Sequence, residues 1–204
     1  MFHTSGITLA LSAEARETAM TLIRKMKESG ALISFDCNYR ANLWGEDEAR
    51  EMIRSILPYV DILFVSEETS RRMMRKTGEL HEIMKGYTEE FPIRYVCTTR
   101  RTVISPKKHD FTSIIYAADE DRFYEEEPYR DIEIVDRIGS GDAYVAGVLY
   151  GILASGDPAD ALRYGNAASA IKNTIPGDLP ASERQEIERV IREHAEGAVG
   201  EMER

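Results

Sequence analysis

Short apolar runs alternate with amphipathic stretches along most of this chain, and that alternation restricts the folds open to it. Ala31-Leu32-Ile33-Ser34-Phe35, Asp61-Ile62-Leu63-Phe64-Val65 and Arg94-Tyr95-Val96-Cys97-Thr98 read as buried strands. Helices fall between them. One is capped by Ser12 and runs towards Lys27, with Leu22, Ile23 and Met26 on one face and Gly30 as its stop. Another fits Glu46 to Leu57 and ends at Pro58; a charged one runs through Arg75, and a further one lies around Glu79 to Glu90. This order predicts an α/β fold, a doubly wound, mostly parallel sheet with helices on both faces. Ligands of such sheets bind beyond the carboxyl ends of the strands. Asp36, Ser66, Thr98 and the turn at Gly139 fall at expected strand ends and are candidates to line one rim. Thr102 to Ser105, Phe111 to Ala117 and Ile132 to Val135 read as strands of an antiparallel or mixed edge. Beyond Gly139 the pattern is helical: Asp157-Pro158 is a good helix start, and Ser182-Glu183-Arg184-Gln185 has capping-box spacing. The polar tail beyond Gly197 is expected to fray.

Composition narrows the class. The 204 residues suffice for one substantial domain, expected to span 1–204. A formal net charge of -10 argues against a nucleic-acid partner, whose affinity rests on basic side chains meeting phosphates. It leaves phosphate ligands open, because backbone amides and Mg²⁺ supply local positive potential. No apolar run approaches membrane-spanning length and no signal pattern opens the chain, so a cytoplasmic protein with no membrane partner is expected. Cys37 and Cys97 both fall in strand-like segments and read as buried free thiols.

The chemistry concentrates in Asp136-Arg137-Ile138-Gly139-Ser140-Gly141-Asp142-Ala143-Tyr144-Val145-Ala146-Gly147. Gly139 and Gly141 permit backbone angles and close approaches that a side chain blocks. The amides that follow open a helix and lack intrahelical partners, next to the positive end of its dipole. Such a turn binds a phosphate, or the charge that develops as a phosphoryl group moves. Asp142 then stands where a hydroxyl can give up its proton. The plainer alternative is a strand-helix turn in which Asp142 only stabilises the helix start. Ala143, Ala146, Gly147 and Gly151 repeat at helical spacing and form a small-residue face able to pack closely on a sheet. Tyr144 occupies the third glycine position of a dinucleotide loop, and no G-x-x-x-x-G-K-[ST] sequence occurs.

This segment resembles the second signature of the ribokinase-like (PfkB) carbohydrate kinases, D-T-x-G-A-G-D-x-F-x-A-G. The resemblance implies an anion hole at Gly139, Ser140 and Gly141 and a catalytic base at Asp142. Arg137 and Ser140 depart from the family's usual residues. Phe35-Asp36-Cys37-Asn38-Tyr39-Arg40-Ala41-Asn42-Leu43-Trp44 is similar to the F-D-x-N-Y-R-x-x-L-W stretch of the 2-keto-3-deoxygluconate kinase branch. It implies that Arg40, whose planar fork suits a carboxylate, contacts a sugar acid. The alternative is a surface ion pair for Arg40 and a core role for Trp44.

Weaker matches follow the same family order. His3-Thr4-Ser5-Gly6-Ile7 looks like the family's F-H-x-S-G-I segment, with His3 structural. Thr98-Thr99-Arg100-Arg101 resembles a strand end near the nucleotide, which makes Thr98, Arg100 and Arg101 nucleotide-binding candidates; solvated surface arginines are the alternative. Asn166 matches a position lining the adenine pocket, against a plain helix-surface asparagine. Gly177-Asp178 resembles a turn near the sugar, making Asp178 a substrate-binding candidate. Ser66-Glu67-Glu68 stands where relatives carry N-x-x-E near Mg²⁺; Ser66 and Thr69 break that pattern, a solvated helix start is the alternative, and no metal ligand is assigned.

The resemblance thus implies ATP and Mg²⁺ as cofactors and a sugar or sugar acid, 2-keto-3-deoxygluconate above all, as substrate. It covers the C-terminal, nucleotide-binding portion of a family member, without the N-terminal strands and β-lid. An exposed sheet edge and a homo-oligomer are therefore expected possibilities. A nucleotide-binding or assembly module without independent kinase activity is the second expectation, and a remnant that binds nothing is the third.

Overall fold

The computed structural model describes residues 1–202; Glu203 and Arg204 lie outside the described residues. The chain divides into two compact units, one formed by Met1–Thr98 with Tyr116–Phe123, the other by Thr99–Ile115 with the residues from Tyr124 onward.

The first unit begins with β1 (Phe2–Ser5), α1 (Gly6–Leu11), α2 (Ala13–Glu28), β2 (Ile33–Asp36) and α3 (Glu46–Ile56). It continues with β3 (Ile62–Phe64), α4 (Glu67–Arg72), α5 (Leu80–Glu90) and the first residues of β4 (Tyr95–Ser105). β1 pairs in parallel with β2, Phe2 opposite Ile33 and Ser5 opposite Asp36. β2 pairs in parallel with β3, and β3 with β4. Ile33, Phe35, Ile62, Leu63 and Val96 are buried to 0% exposure, as a parallel sheet covered on both faces requires. The buried Asp61 carboxylate accepts from the Lys27 ammonium (2.7 and 2.8 Å) and from the Ile33 amide (2.8 Å), which ties the end of α2 to the start of the sheet.

The second unit takes the outer residues of β4, β5 (Lys108–Ala117) as far as Ile115, β6 (Arg122–Glu125) from Tyr124, then β7 (Tyr129–Glu133), α6 (Ser140–Ser155), α7 (Pro158–Asn173) and α8 (Arg184–Met202). β7 pairs antiparallel with β5, His109 opposite Ile132. The strand order is β1-β2-β3-β4-β5-β6, with β7 on β5, a mixed and largely parallel α/β sheet. No helix among the described residues is long and apolar enough to cross a membrane.

Several local expectations hold. Ser12 caps α2 by accepting from the Ala15 amide, Asp157 caps α7 by accepting from the Ala159 amide, and Gly30 adopts φ +81° past the end of α2. Cys37 and Cys97 are buried free thiols. Others change. α2 turns Ala19 and Ile23 inward and leaves Leu22 and Met26 exposed. The strand expected to end at Thr98 runs on to Ser105, because β4 and β5 form a hairpin whose pairing carries the backbone through the polar Thr98–Arg101 stretch. Thr98 therefore lies inside a strand and not at its end. β7 stops at Glu133, because the Val135 and Asp136 amides donate to the Asn173 carbonyl at the end of α7 (2.8 and 3.2 Å). Ser182 caps nothing: its buried Oγ has no hydrogen-bond partner, and Glu183 supplies the carbonyl that starts α8. Beyond Gly197, α8 stays helical to Met202.

The small-residue face of α6 meets α7 and not the sheet. A Cβ on Gly147 would overlap the Tyr164 carbonyl, and one on Gly151 would overlap the Ala161 backbone. Gly165 returns the contact, lying against Val148 and Tyr144. Three glycines thus let the two backbones approach more closely than side chains permit.

Candidate active site

The turn ahead of α6 is braced by a carboxylate. Asp136 accepts from the Ile138 amide (2.9 Å) and from the Gly177 amide (3.0 Å). These backbone donors, Ile138 first, hold its carboxyl below the ordinary value. The chain then passes through Gly139 at φ +80°, ψ -4°, a left-handed conformation that favours glycine. A Cβ there would overlap the carbonyl of Asp178, so the 177–178 segment rests directly on the turn. The Ser140 amide donates to the Arg137 carbonyl (3.2 Å), and the Ala143 amide donates to the Gly139 carbonyl (2.9 Å).

Two amides between them, those of Gly141 and Asp142, have no acceptor among the described residues. A Cβ on Gly141 would meet nothing within 4 Å, so the space over the turn is open. The Asp142 side chain is exposed and makes no hydrogen bond or ion pair among the described residues. The turn therefore combines uncommitted donors, the positive pole of α6 and a free carboxylate.

One turn further along α6, an apolar cavity of about 250 Å³ opens between α6, α7 and the start of α8. Ala143, Ala146, Tyr150, Tyr164 and Ile187 are among its walls. Tyr150 and Tyr164 meet edge to face with centroids 4.9 Å apart. The Tyr164 hydroxyl donates to Glu188 (2.9 Å), and Arg184 also donates to that carboxylate (2.7 Å), which ties α8 to the wall of the cavity. Hydrogen bonding from Arg184 and then Tyr164 keeps the Glu188 carboxyl low. Composition did not reveal this cavity, since its residues come from three helices and only Ala143, Ala146 and Gly147 belong to the motif.

The other candidates fall in varied surroundings. Arg100 pairs with Glu125 at 3.7 Å, whereas the Arg101 side chain is exposed with no hydrogen bond or ion pair among the described residues. Arg137 lies close enough to depress the Arg101 guanidinium, second to burial. Asp178 is exposed, and it is its backbone that bears on Gly139. Asn166 does not line the cavity. It is fully buried, its amide oxygen accepting from Ser113 (2.6 Å) and its amide nitrogen donating to Glu126 (2.6 Å), so both ends are spent inside the unit.

In the first unit, Arg40 is exposed, and its side chain makes no hydrogen bond or ion pair among the described residues. It follows a tight turn in which the Asn38 amide donates to Asp36 (3.1 Å) and the Tyr39 hydroxyl donates to the Trp44 carbonyl (3.2 Å). Trp44 is buried beneath the Arg16 guanidinium. Thr98 is buried, and its hydroxyl has no partner. His3 accepts or donates at Ser34 (2.9 Å) and meets Phe64 edge to face, a structural role. Ser66 accepts from the Thr69 amide as the cap of α4, while Glu67 and Glu68 pair with Arg71 and Arg72 along that helix. This is the solvated helix start.

Among the described residues, no group of three His, Cys, Asp or Glu side chains is arranged to hold a metal ion by itself. What the start of α6 offers is free amides and an open approach at Gly141, an uncommitted Asp142, and an apolar cavity on the same helix.

Known proteins resemble this chain in sequence and in fold. The family model for pfkB family carbohydrate kinases matches residues 1–183. A 2-dehydro-3-deoxygalactonokinase of Haloferax volcanii is 36% identical over 192 residues, covering 94% of this chain and 57% of the relative. The crystal structure of 2-dehydro-3-deoxygluconokinase from Thermotoga maritima superposes with a TM-score of 0.88 at 30% identity, over 94% of this chain and 59% of that one. A candidate ribokinase II from Escherichia coli, solved in complex with ATP and Mg²⁺, superposes with a TM-score of 0.79 at 25% identity, over 95% and 58%. The chain thus spans less than two thirds of the length of each of these relatives. Matched along nearly its whole extent in sequence and in fold, the chain belongs to the pfkB family of carbohydrate kinases.

Proposed function

We propose that this chain carries out ATP-dependent phosphorylation of a sugar-acid hydroxyl, with a 2-keto-3-deoxy sugar acid such as 2-keto-3-deoxygluconate as substrate. The observation that carries the reading is the free Asp142 carboxylate beside the two uncommitted amides at the open start of α6. Phosphoryl transfer asks a protein for positioning and charge stabilisation more than for covalent chemistry. The Gly141 and Asp142 amides stabilise the equatorial oxygens of the transferred group, aided by the helix pole. Asp142 accepts the proton of the attacking hydroxyl. Bound together with the nucleotide, Mg²⁺ would supply charge neutralisation at its phosphates.

The base of the nucleotide is assigned to the apolar cavity lined by Tyr150 and Tyr164, which offers aromatic walls to a flat ring. Arg101, without an anionic partner, is assigned to phosphates, and Asp178 to the sugar side of the turn. Asn166 supports the nucleotide site from within by fixing α7 to β5 through Ser113. Thr98 keeps its assignment to the nucleotide, its unpartnered hydroxyl being the supporting feature. Arg40, exposed and uncommitted, is assigned to the carboxylate of the sugar acid; the names of the Haloferax and Thermotoga relatives support that substrate class.

A panel of sugar acids assayed for ADP release, with and without Mg²⁺, tests the reading. Turnover confined to simple neutral sugars would remove the sugar-acid assignment. The second reading, a nucleotide-binding module without kinase activity of its own, draws on the share of the relatives that the chain spans, 57% of the Haloferax protein. Nucleotide binding with no ADP release on any sugar would favour it.

A further inference from the structure

A costly group to bury in the second unit is Lys172, a lysine at 0% exposure in the last turn of α7. Burying an ammonium is costly unless its donors are met. Here two of its three donors are met by main-chain carbonyls: Nζ donates to the Ile175 carbonyl at 3.0 Å and to the Asp136 carbonyl at 3.3 Å. Asp136 is the first residue of the segment leading into the Gly139 turn, and Ile175 opens the segment leading to Asp178. The ammonium therefore joins the two stretches of backbone that meet at Gly139. Neighbouring bonds run between the same stretches: Val135 and Asp136 amides to the Asn173 carbonyl, and the Gly177 amide to the Asp136 carboxylate.

A surface ion pair would not need this placement. An ammonium held by carbonyl oxygens is in surroundings of the kind that hold a potassium ion, a hard monovalent cation of similar size. It also sits at the negative pole of α7, where a cation is favoured. We propose that Lys172 is a built-in monovalent cation: its ammonium fills a carbonyl cage behind the turn, positions Gly139 to Asp142, and makes a dissolved alkali-metal ion unnecessary at that place. Lys172 is a positioning residue and touches none of the reacting atoms. Its consequence for turnover rests on the kinase reading; its place in the fold does not.

The test compares melting midpoints of the unaltered chain and Lys172→Ala in potassium chloride and in choline chloride at equal ionic strength. The unaltered chain should melt alike in both salts. Lys172→Ala should melt lower in choline by about 5 °C or more, and potassium, small enough to enter the vacated cage, should restore part of that loss. A potassium-selective rise in the unaltered chain, or a Lys172→Ala midpoint indifferent to potassium, would overturn the proposal. If Lys172→Ala folds in neither salt, the unaltered chain decides: indifference to potassium supports the assignment and a selective rise overturns it. In the ADP-release assay, Lys172→Ala should lose about tenfold or more in turnover in choline and regain part of it in potassium. Absence of turnover in every form would count against the kinase reading, and the melting comparison would still decide the role of Lys172.

Discussion

The carbonyl of Asp178 rests on the α carbon of Gly139, at a point where no side chain fits. That contact joins the loop after α7 to the turn before α6, and it occurs at a residue with φ +80°. Gly139→Ala meets both obstacles at once. The substitution should cost about 1–3 kcal/mol of stability through left-handed strain, with further loss from the backbone overlap. Urea unfolding reads the cost; a change within error would mean that the turn tolerates a Cβ. Gly141→Ala, with open space around the new methyl, should fold nearly as well and lose chiefly phosphate affinity.

Asp136 gives the turn a pH dependence. Its carboxylate is stabilised in the folded state by the Ile138 and Gly177 amides, so its value is lower folded than unfolded. The unfolded state then binds the proton more readily, and folding stability falls as pH falls through this range. The contribution is full above the ordinary value of 3.8 and is lost as pH drops below it, through the lowered folded-state value. Asp136→Ala should flatten the acid limb of the stability curve relative to the unaltered chain. Identical acid limbs would contradict the clamp.

The cavity assignment is tested by filling it. Ala146 lines the cavity yet is solvent-exposed, so Ala146→Phe can enter it without breaking the helix packing. Nucleotide affinity should fall by about tenfold or more, with the melting midpoint nearly unchanged. Unaltered nucleotide binding would move the base elsewhere.

Burial pushes the Cys37 and Cys97 thiols well above their ordinary value, with the Asp36 carboxylate adding to the rise at Cys37. Reactivity follows the thiolate and access to it. Neither thiol should react with a disulfide reagent in the native state at neutral pH, and both should react on unfolding. Fast native labelling would place one of them at the surface.

Much of this was legible in the sequence where one short-range rule decided the outcome. Ile33, Phe35, Ile62, Leu63 and Val96 are apolar because they are buried on both faces of a parallel sheet, and Asp157-Pro158 starts a helix wherever it stands. The G-x-G-D turn was legible for the same reason, its geometry being local. What escaped was set by partners distant in the chain. β4 passes through Thr98 because β5 pairs with it, Asn166 is spent on Ser113 and Glu126, and the small face of α6 meets α7. Lys172 reads in sequence as an ordinary basic residue near a helix end; only the fold brings the Asp136 and Ile175 carbonyls around it.

The central claim is that Asp142 takes the proton of the attacking hydroxyl, and Asp142→Asn tests it most directly. The substitution keeps size and the helix start while removing the base, and the exposed, unpartnered side chain makes loss of the fold unexpected. Nucleotide affinity by calorimetry and ADP release on a 2-keto-3-deoxy sugar acid should be measured on the same preparation. The account predicts nucleotide affinity within about threefold of the unaltered chain and turnover lower by about a hundredfold or more. Turnover close to that of the unaltered chain would contradict it.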